Sequence, residues 1–303
     1  MNKVVIIILL FSALSLSAAN PEIMTPSVKV STGSIKRASI VSEYMDTMLV
    51  DIWTPDGYPN AKTYKVLYMH DGQMLFDKSQ TWNNQTWNVD SIAGNLIGQG
   101  LISPFIVVGI HSKPLTRTAD LMPQKAVDYL MQDSSKVEIL NKIGNSLRGD
   151  KYLKFIVNEL KPYIDKNYNV DSSVSGTAIM GSSMGGLMSM YAICEYPSIF
   201  GSAGCMSTHL SGFGEKNTPV PNAICKYLKD KLPDPANHRI YFDYGDQTLD
   251  SLYPPYQKMV DEVMASKGFS DKNWKTIFFP GHAHTENYWS SRLDTPLKFI
   301  FGK

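Results

Sequence analysis

The stretch TAIMGSSMGGLMSMYAIC, residues 177–194, predicts a strand, a tight turn and a helix in direct succession. Residues 177–180 form a short apolar run typical of a buried strand, and residues 187–194 are helix formers without Pro or Gly. Between these segments, Gly181 and Gly185 lack a Cβ atom, which lets the backbone turn sharply. A strand that turns directly into a helix is typical of folds in which helices cover a largely parallel sheet.

This turn places Ser183 at the centre of a Gly-x-Ser-x-Gly pattern. The pattern resembles the turn on which α/β-hydrolases hold a nucleophilic serine above the sheet. A serine hydroxyl needs a base to become nucleophilic, and the free N–H groups at the start of the following helix can stabilise an oxyanion. We therefore interpret Ser183 as a nucleophile. The alternative is a glycine-rich turn that only packs a helix on a strand.

The rest of the chain alternates apolar strand patterns with helical ones. Further strands are predicted at residues 48–53, 65–69, 105–110, 240–244 and 274–279. Further helices are predicted at residues 88–97, 152–164 and 252–264. The alternation predicts one α/β domain over residues 20–303, with a mostly parallel central sheet, helices on both faces and antiparallel N-terminal strands. Residues 112–149 follow no clear pattern, and we expect part of them to cover the site.

The composition is that of an ordinary globular protein, with 43% hydrophobic and 19% charged residues among 303. The formal net charge is +1, so no nucleic acid or other polyanion is expected as a partner. The three cysteines are an odd number without metal-site spacing, which predicts no disulfide framework. Cys194 lies in the apolar helix after Ser183, where a buried thiol is expected.

The first 19 residues have the pattern of a secretory signal peptide. Lys3 supplies a positive charge, residues 4–16 are almost wholly apolar, and Ser17-Ala18-Ala19 supplies the small residues of a cleavage site. The apolar run is shorter than the ~20 residues of a membrane-spanning helix, so cleavage is favoured over a retained anchor. The mature protein is therefore expected to start near Asn20 and to be secreted or periplasmic, without stable membrane insertion.

A serine nucleophile in this fold is followed along the chain by an acid and then by a histidine. Four of the six histidines come too early, which leaves His282 and His284 in the loop after the last predicted strand. The acid is expected after strand 240–244, where Asp246 and Asp250 both qualify, and spacing alone does not choose between them. A His-x-His pair can also bind a metal ion, but no other His or Cys lies close in sequence to complete such a site. We predict no metal and no cofactor.

A second oxyanion donor normally comes from the turn after an earlier strand. Here that turn is the sequence HDGQ, residues 70–73. Its glycine permits a close backbone approach, and the backbone N–H of Gln73 is the predicted donor. The alternative is a polar turn without a role in catalysis.

Five motifs in fixed order resemble one known family. They are VLYMHDGQMLFD (66–77), VVGI (107–110), MGSSMGG (180–186), YFDYG (241–245) and PGHAHTE (280–286). Together they are similar to the secreted esterase family of α/β-hydrolases, which includes feruloyl esterases and related carbohydrate esterases. Mycolyl acyltransferases of the antigen 85 type are more distant relatives. The resemblance covers most of the chain after residue 20.

The resemblance ranks the candidate site residues. The family's histidine precedes a small polar residue and Glu, which matches His284 and leaves His282 as the alternative. The family's acid often closes a Gly-x-x-x-Leu-Asp stretch, which matches Asp250 and leaves Asp246 as the alternative. The residue after the family's nucleophile is commonly Met, so the backbone N–H of Met184 is implied as the first oxyanion donor.

The activity implied is ester hydrolysis through an acyl-enzyme, with feruloyl or acetyl esters of plant or other polysaccharides as substrates. The alternatives are an acyltransferase with the same residues, a serine peptidase, and a non-catalytic carbohydrate-binding protein with the same fold. Trp87, Tyr288 and Trp289 lie near the motifs and could stack on a sugar or an aromatic acyl group, although core packing is the favoured interpretation.

Overall fold

The computed structural model describes residues 21–130, 137, 141, 146–212, 216 and 218–303. The predicted signal peptide, residues 1–19, lies outside these described residues, as does most of the stretch 131–145.

Within the described part of the chain, nine strands form one sheet. Their bounds are β1 Glu22–Met24, β2 Ser34–Ile40, β3 Met48–Thr54, β4 Lys65–His70, β5 Phe105–Ile110, β6 Thr177–Ser182, β7 Ser202–Met206, β8 Arg239–Tyr244 and β9 Trp274–Phe278. The spatial order is β1-β2-β3-β5-β4-β6-β7-β8-β9. Strands β1, β2, β3 and β5 pair antiparallel, and from β5 to β9 every pair is parallel. The predicted antiparallel start and parallel centre of the sheet are both confirmed.

Helices cover both faces of the sheet, as predicted. Their bounds are α1 Val89–Gly98, α2 Arg117–Leu121, α3 Gln124–Asp128, α4 Gly149–Phe155, α5 Lys161–Asn167, α6 Met184–Glu195, α7 Pro219–Lys231, α8 Pro254–Ser266, α9 Glu286–Arg292 and α10 Asp294–Phe301. Successive residues of β4 alternate between two hydrophobic cores: Val66 and Tyr68 pack on one side, Leu67 and Met69 on the other. The core that contains Val66 also packs against α6 and α8, and the other packs against α1 and α10.

Two of the differences from the sequence prediction have identifiable reasons. Strand β7 was not predicted because Ser-Ala-Gly-Cys-Met lacks the β-branched and aromatic residues that mark strands. A Cβ added at Gly204 would lie 2.6 Å from the Met180 side chain, so a larger residue there would have to displace Met180. The helix predicted over residues 152–164 is instead divided into three segments, which are helix α4, a π-helical turn at Ile156–Leu160, and helix α5. Pro162 lacks an N–H and crowds the carbonyl four residues earlier, which disturbs the α-helical ladder there.

The three cysteines, Cys194, Cys205 and Cys225, are buried and unbonded. Burial raises the pKa of Cys225 to about 11, which keeps this thiol protonated at neutral pH. Among the described residues, no helix is both long and apolar enough to cross a membrane.

Candidate active site

Ser183 lies on a strained turn between β6 and α6. Its backbone has φ 57° and ψ −123°, a conformation that a non-glycine residue adopts only when the surrounding structure enforces it. The Ser183 N–H donates to the Met206 carbonyl at 3.0 Å, and the Ser183 carbonyl accepts from the His209 N–H at 3.2 Å. A Cβ added at Gly181 would lie 2.8 Å from the carbonyl carbon of Gly185. The two glycines therefore permit the close approach that raises Ser183 at the C-terminal edge of the sheet.

His284 is held in the loop between β9 and α9. Its Nδ1 lies 2.6 Å from Oδ1 of Asp250, and its backbone N–H donates to Oγ1 of Thr248 at 2.9 Å. The imidazole lies between two rings in edge-on contact, Tyr253 at 5.7 Å and Trp289 at 4.9 Å between centroids. The hydrogen bond to Asp250 and these two rings fix the orientation of the imidazole.

Asp250 is completely buried in the 3-10 turn Thr248–Leu252, directly after β8. Its Oδ2 accepts hydrogen bonds from Ser207 Oγ at 2.6 Å and from the Gly245 N–H at 2.7 Å. Burial acts to raise the pKa of Asp250, but the hydrogen bonds from His284, Ser207 and Gly245 hold it below its ordinary value. Asp250 is therefore ionised at neutral pH although it is fully buried.

The alternative acid and the alternative histidine lie elsewhere in these loops. Asp246 is partly exposed, and its Oδ1 accepts from the Gly281 N–H at 2.8 Å. The ring of His282 packs against Phe279 at 5.3 Å and Tyr288 at 4.8 Å. Burial and the positive charge of Arg292 lower the pKa of His282. The carbonyl of His282 accepts from the N–H of Asp246 at 3.1 Å, so this pair joins the two loops rather than facing Ser183.

A buried polar cluster behind Asp250 was missed from the sequence. The Ser207 hydroxyl donates to Asp250 and accepts from Trp289 Nε1 at 2.9 Å and Arg292 Nη2 at 2.8 Å. Arg292 also forms a buried ion pair with Asp243 at 2.9 Å. Because Ser207 receives two N–H donors, its own proton is directed at Asp250, which fixes the carboxylate that orients His284. No motif marks Ser207; only its place at the end of the unpredicted strand β7 could have indicated it.

Replacing Ser207 with alanine tests this cluster. We expect kcat to fall about tenfold, since Asp250 loses one of the donors that hold it ionised, and the free energy of unfolding to fall by about 1–3 kcal/mol, since buried N–H groups lose their acceptor. The measurements are ester turnover as a function of pH and urea unfolding. Thr208→Ala is the matched control, because the neighbouring hydroxyl donates at 3.0 Å to the Cys205 carbonyl, outside this cluster. Equal losses of kcat in both variants would contradict a positioning role for Ser207.

Tyr253 and His209 form a second pair of partners beside Ser183 that was also missed. The Tyr253 hydroxyl lies 2.8 Å from His209 Nδ1, and burial lowers the pKa of His209 to about 4, so this imidazole is neutral. Burial raises the pKa of Tyr253 well above its ordinary value, the charge of Asp250 adds to this, and a side-chain hydrogen bond with Ser183 opposes it. Tyr253 thus contacts the side chain of Ser183 and the ring of His284 at once.

The turn after β4 brings Gln73 to the same cavity as Ser183. A Cβ added at Gly72 would lie 2.4 Å from the Gly109 carbonyl oxygen, so the turn packs directly on β5. The Gln73 side chain is tied to Ser112 by hydrogen bonds of 2.8 and 3.0 Å. Gln73 and Met184 each lie in the first turn of a helix, Gly72–Met74 and α6, where backbone N–H groups have no intrahelical acceptor. Both are thus free to donate to an oxyanion.

Ser183 and His284 open into a cavity of about 700 Å³. Its charged lining residues are Asp71, Arg117 and Glu286, and Arg117 donates to both oxygens of Asp71 at 2.7 Å. The pKa of Asp71 stays below its ordinary value because Arg117 outweighs the effect of burial. Because the charges of Asp71 and Arg117 cancel, the carboxylate of Glu286 gives the cavity lining a formal net charge of one negative unit.

Three aromatic residues considered from the sequence have different places. Trp87 and Trp289 are buried and pack on each other with 5.6 Å between ring centroids, and both also line the cavity. The favoured interpretation of core packing is therefore correct for these two. Tyr288 is partly exposed and packs on His282. Of the stretch 112–149, Ser112, Pro114 and Arg117 line the cavity, as expected for a covering segment.

The model of the Putative esterase family matches residues 42–300 of the chain. A Bacillus subtilis (strain 168) protein, named uncharacterized protein YbbA, is 24% identical over 259 residues, which are 83% of this chain and 92% of that protein. An endo-1,4-beta-xylanase/feruloyl esterase from Xylanibacter ruminicola is 26% identical over 285 residues. That match covers 90% of this chain and 32% of the relative, so this chain spans about a third of that protein.

Solved structures with the same fold include esterases. A ferulic acid esterase superposes with a TM-score of 0.65 at 19% identity, covering 89% of this chain and 98% of that one. An enterobactin esterase from Shigella flexneri superposes with a TM-score of 0.64 at 16% identity, covering 91% of this chain and 61% of that one. At these identities the likeness establishes the α/β-hydrolase fold.

Proposed function

The chain belongs to the putative esterase family and is a carboxylic ester hydrolase, and we propose that it cleaves sugar esters outside the cytoplasm through an acyl-enzyme at Ser183. The observation that carries this proposal is the hydrogen bond of 2.6 Å between His284 Nδ1 and the buried Asp250, at the cavity that Ser183 also lines.

In the first half of the reaction, Ser183 Oγ attacks the ester carbonyl while His284 Nε2 takes the serine proton. Asp250 accepts from Nδ1–H of His284, which keeps the tautomer with a free Nε2 and stabilises the imidazolium that forms. The backbone N–H groups of Met184 and Gln73 donate to the oxyanion. His284 then gives its proton to the departing alcohol.

In the second half, a water molecule enters from the cavity and His284 takes one of its protons. The hydroxide adds to the acyl carbon, the same two N–H groups hold the second oxyanion, and the Ser183 oxygen leaves with the proton of His284. The products are a free acid and the unmodified serine. If a sugar hydroxyl took the place of water, the chain would be an acyltransferase. Acyltransfer is the second candidate function, because it would use the same residues.

Feruloyl or acetyl esters of polysaccharides are the substrates that we propose. Two relatives are named for ferulic acid esterase activity, and one of them also for xylanase activity. The negative charge of Glu286 in the cavity favours a neutral substrate over an anionic one, because a negatively charged ester would lose hydration beside a like charge. This favours neutral sugar esters over anionic esters.

A panel of esters tests the proposal. Methyl ferulate, an acetylated xylo-oligosaccharide and a neutral butyryl ester are compared with an ester whose acyl group carries a negative charge. We expect the neutral feruloyl or acetyl ester to be turned over with the highest kcat/KM, and added oligosaccharide not to divert the acyl group from water. Product analysis that finds mainly transferred acyl groups would favour the acyltransferase.

The signal-peptide pattern of the first 19 residues supports the proposal that the protein is exported from the cytoplasm. Expression in a bacterial host followed by N-terminal sequencing of the exported protein is expected to give a start near Asn20. A retained N-terminus would contradict the proposed cleavage.

A further inference from the structure

Trp82 is an exposed tryptophan at the mouth of the catalytic cavity. Its side chain is 85% exposed, yet it lines the same cavity as Ser183 and His284. Trp is usually buried to a large extent, since its ring has the largest apolar surface of any side chain. A ring left in water beside a nucleophile is therefore a candidate contact for substrate.

The loop that carries Trp82 is fixed by its neighbours. Asn83 Nδ2 donates to Glu286 Oε2 at 2.8 Å, and the Gln85 N–H donates to Asn83 Oδ1 at 3.1 Å. The buried Thr86 hydroxyl donates to the Met74 carbonyl at 2.9 Å. The loop thus has a defined conformation, and it presents the indole without packing it. Binding of a ligand against the indole therefore does not have to order the loop that carries it.

The position of the loop assigns Trp82 to one side of the ester. Asn83 is bonded to Glu286, which lies two residues after His284. In the proposed mechanism His284 protonates the departing oxygen, so the alcohol part of the ester lies on the His284 side of the cavity. The hydrogen bond from Asn83 to Glu286 therefore holds the Trp82 loop on the alcohol side of the cavity.

The groups around Trp82 suit a neutral sugar. An indole face stacks on the apolar C–H face of a sugar ring, and the amides of Asn83 and Gln85 and the Glu286 carboxylate can bind hydroxyl groups. Asn83, Gln85 and Glu286 all line the cavity together with Trp82. Resting on the proposed ester hydrolysis, we infer that Trp82 is the platform of a sugar subsite that binds the alcohol part of the substrate.

Trp82→Ala tests this subsite with two esters of one acyl group. The pair is methyl ferulate and a feruloylated arabinoxylo-oligosaccharide, or methyl acetate and an acetylated xylo-oligosaccharide, according to the acyl group that the wild-type enzyme cleaves. We expect kcat/KM for the oligosaccharide ester to fall about tenfold, mostly through KM, and kcat/KM for the methyl ester to change less than about twofold. Trp82→Phe should restore much of the loss, because it keeps an aromatic face.

Leu115→Ala is the matched control, since Leu115 is fully exposed but carries no ring and does not line the cavity. It should leave both esters unaffected. Equal losses on both esters in Trp82→Ala would overturn the assignment to the alcohol side, and no loss on either would overturn the subsite. Loss of binding to phosphatidylcholine vesicles in Trp82→Ala, with unchanged sugar-ester kinetics, would assign the ring to a lipid surface instead.

Calorimetry with an unesterified xylo-oligosaccharide separates the subsite from the chemistry. We expect the wild-type protein to bind it and Trp82→Ala to bind it about tenfold more weakly. A wild-type enzyme that cleaves no ester but binds the oligosaccharide through Trp82 would overturn the proposed function and leave the subsite. Absence of Trp82-dependent binding, together with unchanged KM for the sugar ester, would overturn the subsite and leave the proposed function.

Discussion

Replacing Ser183 with alanine is expected to lower kcat for the best ester substrate by about 10⁴-fold or more. In the proposed mechanism the variant lacks the oxygen that forms the acyl-enzyme, so His284, Asp250 and the two backbone donors can only assist direct attack by water. Binding should survive, because Ser183 contributes one hydroxyl group to a cavity of about 700 Å³. The measurement is single-substrate kinetics with the purified protein, together with labelling by a fluorophosphonate probe.

The fold of this variant should be unchanged. Alanine at position 183 is no more strained than serine at a φ of 57°, since both carry a Cβ atom. Ser189→Ala is the control, because Ser189 lies on the same helix and its buried hydroxyl donates at 2.8 Å to the Gly185 carbonyl. The control should keep the fluorophosphonate label and most of the turnover. A Ser183→Ala protein with undiminished turnover would contradict the proposed nucleophile.

Local sequence patterns predicted the parts of the site that a tight backbone requires. Gly181 and Gly185 are needed because β6 passes into α6 without a loop, and Gly72 is needed because its turn packs on β5. Such requirements leave glycines at fixed positions in the sequence, and the order of motifs follows from the order of strands. The parallel centre of the sheet, apart from β7, and the turn at Ser183 could therefore be predicted from the sequence.

The groups that support Asp250 could not be predicted in the same way. Ser207, Arg292 and Asp243 come from a strand end, a helix and another strand, and they meet only because β7 lies between β6 and β8. A serine at the end of a strand with a weak sequence signal, or an arginine near the end of a short helix, can serve many other structural roles. Their shared role depends on the register of parallel strands, which hydrophobic periodicity does not specify.

The ambiguity between two aspartates has a physical origin. Asp246 and Asp250 follow the same strand, and both are bonded to the loop that carries the candidate histidines. Gly245 allows this approach, because a Cβ there would lie 2.0 Å from the His282 carbonyl oxygen. Only the three-dimensional path of the 3-10 turn at residues 248–252 directs Asp250 inward and leaves Asp246 near the surface.

Asp250→Asn is expected to lower kcat by about 10⁴-fold with little change in KM. An asparagine amide facing Nδ1 of His284 would donate instead of accept, which places the imidazole proton on Nε2 and removes the base from Ser183.

The Asp250→Asn substitution also changes how the free energy of unfolding depends on pH. The lowered pKa of Asp250 contributes stability that is present above the unfolded-state value of about 3.9 and is lost as the pH falls through the lower folded-state value. Urea unfolding of the variant should therefore depend less on pH in that acidic range.

Asp246→Asn provides the matched comparison, because it makes the same chemical change four residues away. An asparagine oxygen can still accept from the Gly281 N–H, so we expect kcat to remain within about threefold of the wild-type value. The two variants together decide the acid of the triad by kinetics at neutral pH. If Asp246→Asn lost most of its turnover while Asp250→Asn kept it, His284 would have to move to a different partner during catalysis. The hydrogen bond of 2.6 Å to Asp250 would then belong to a resting state and not to the reacting one.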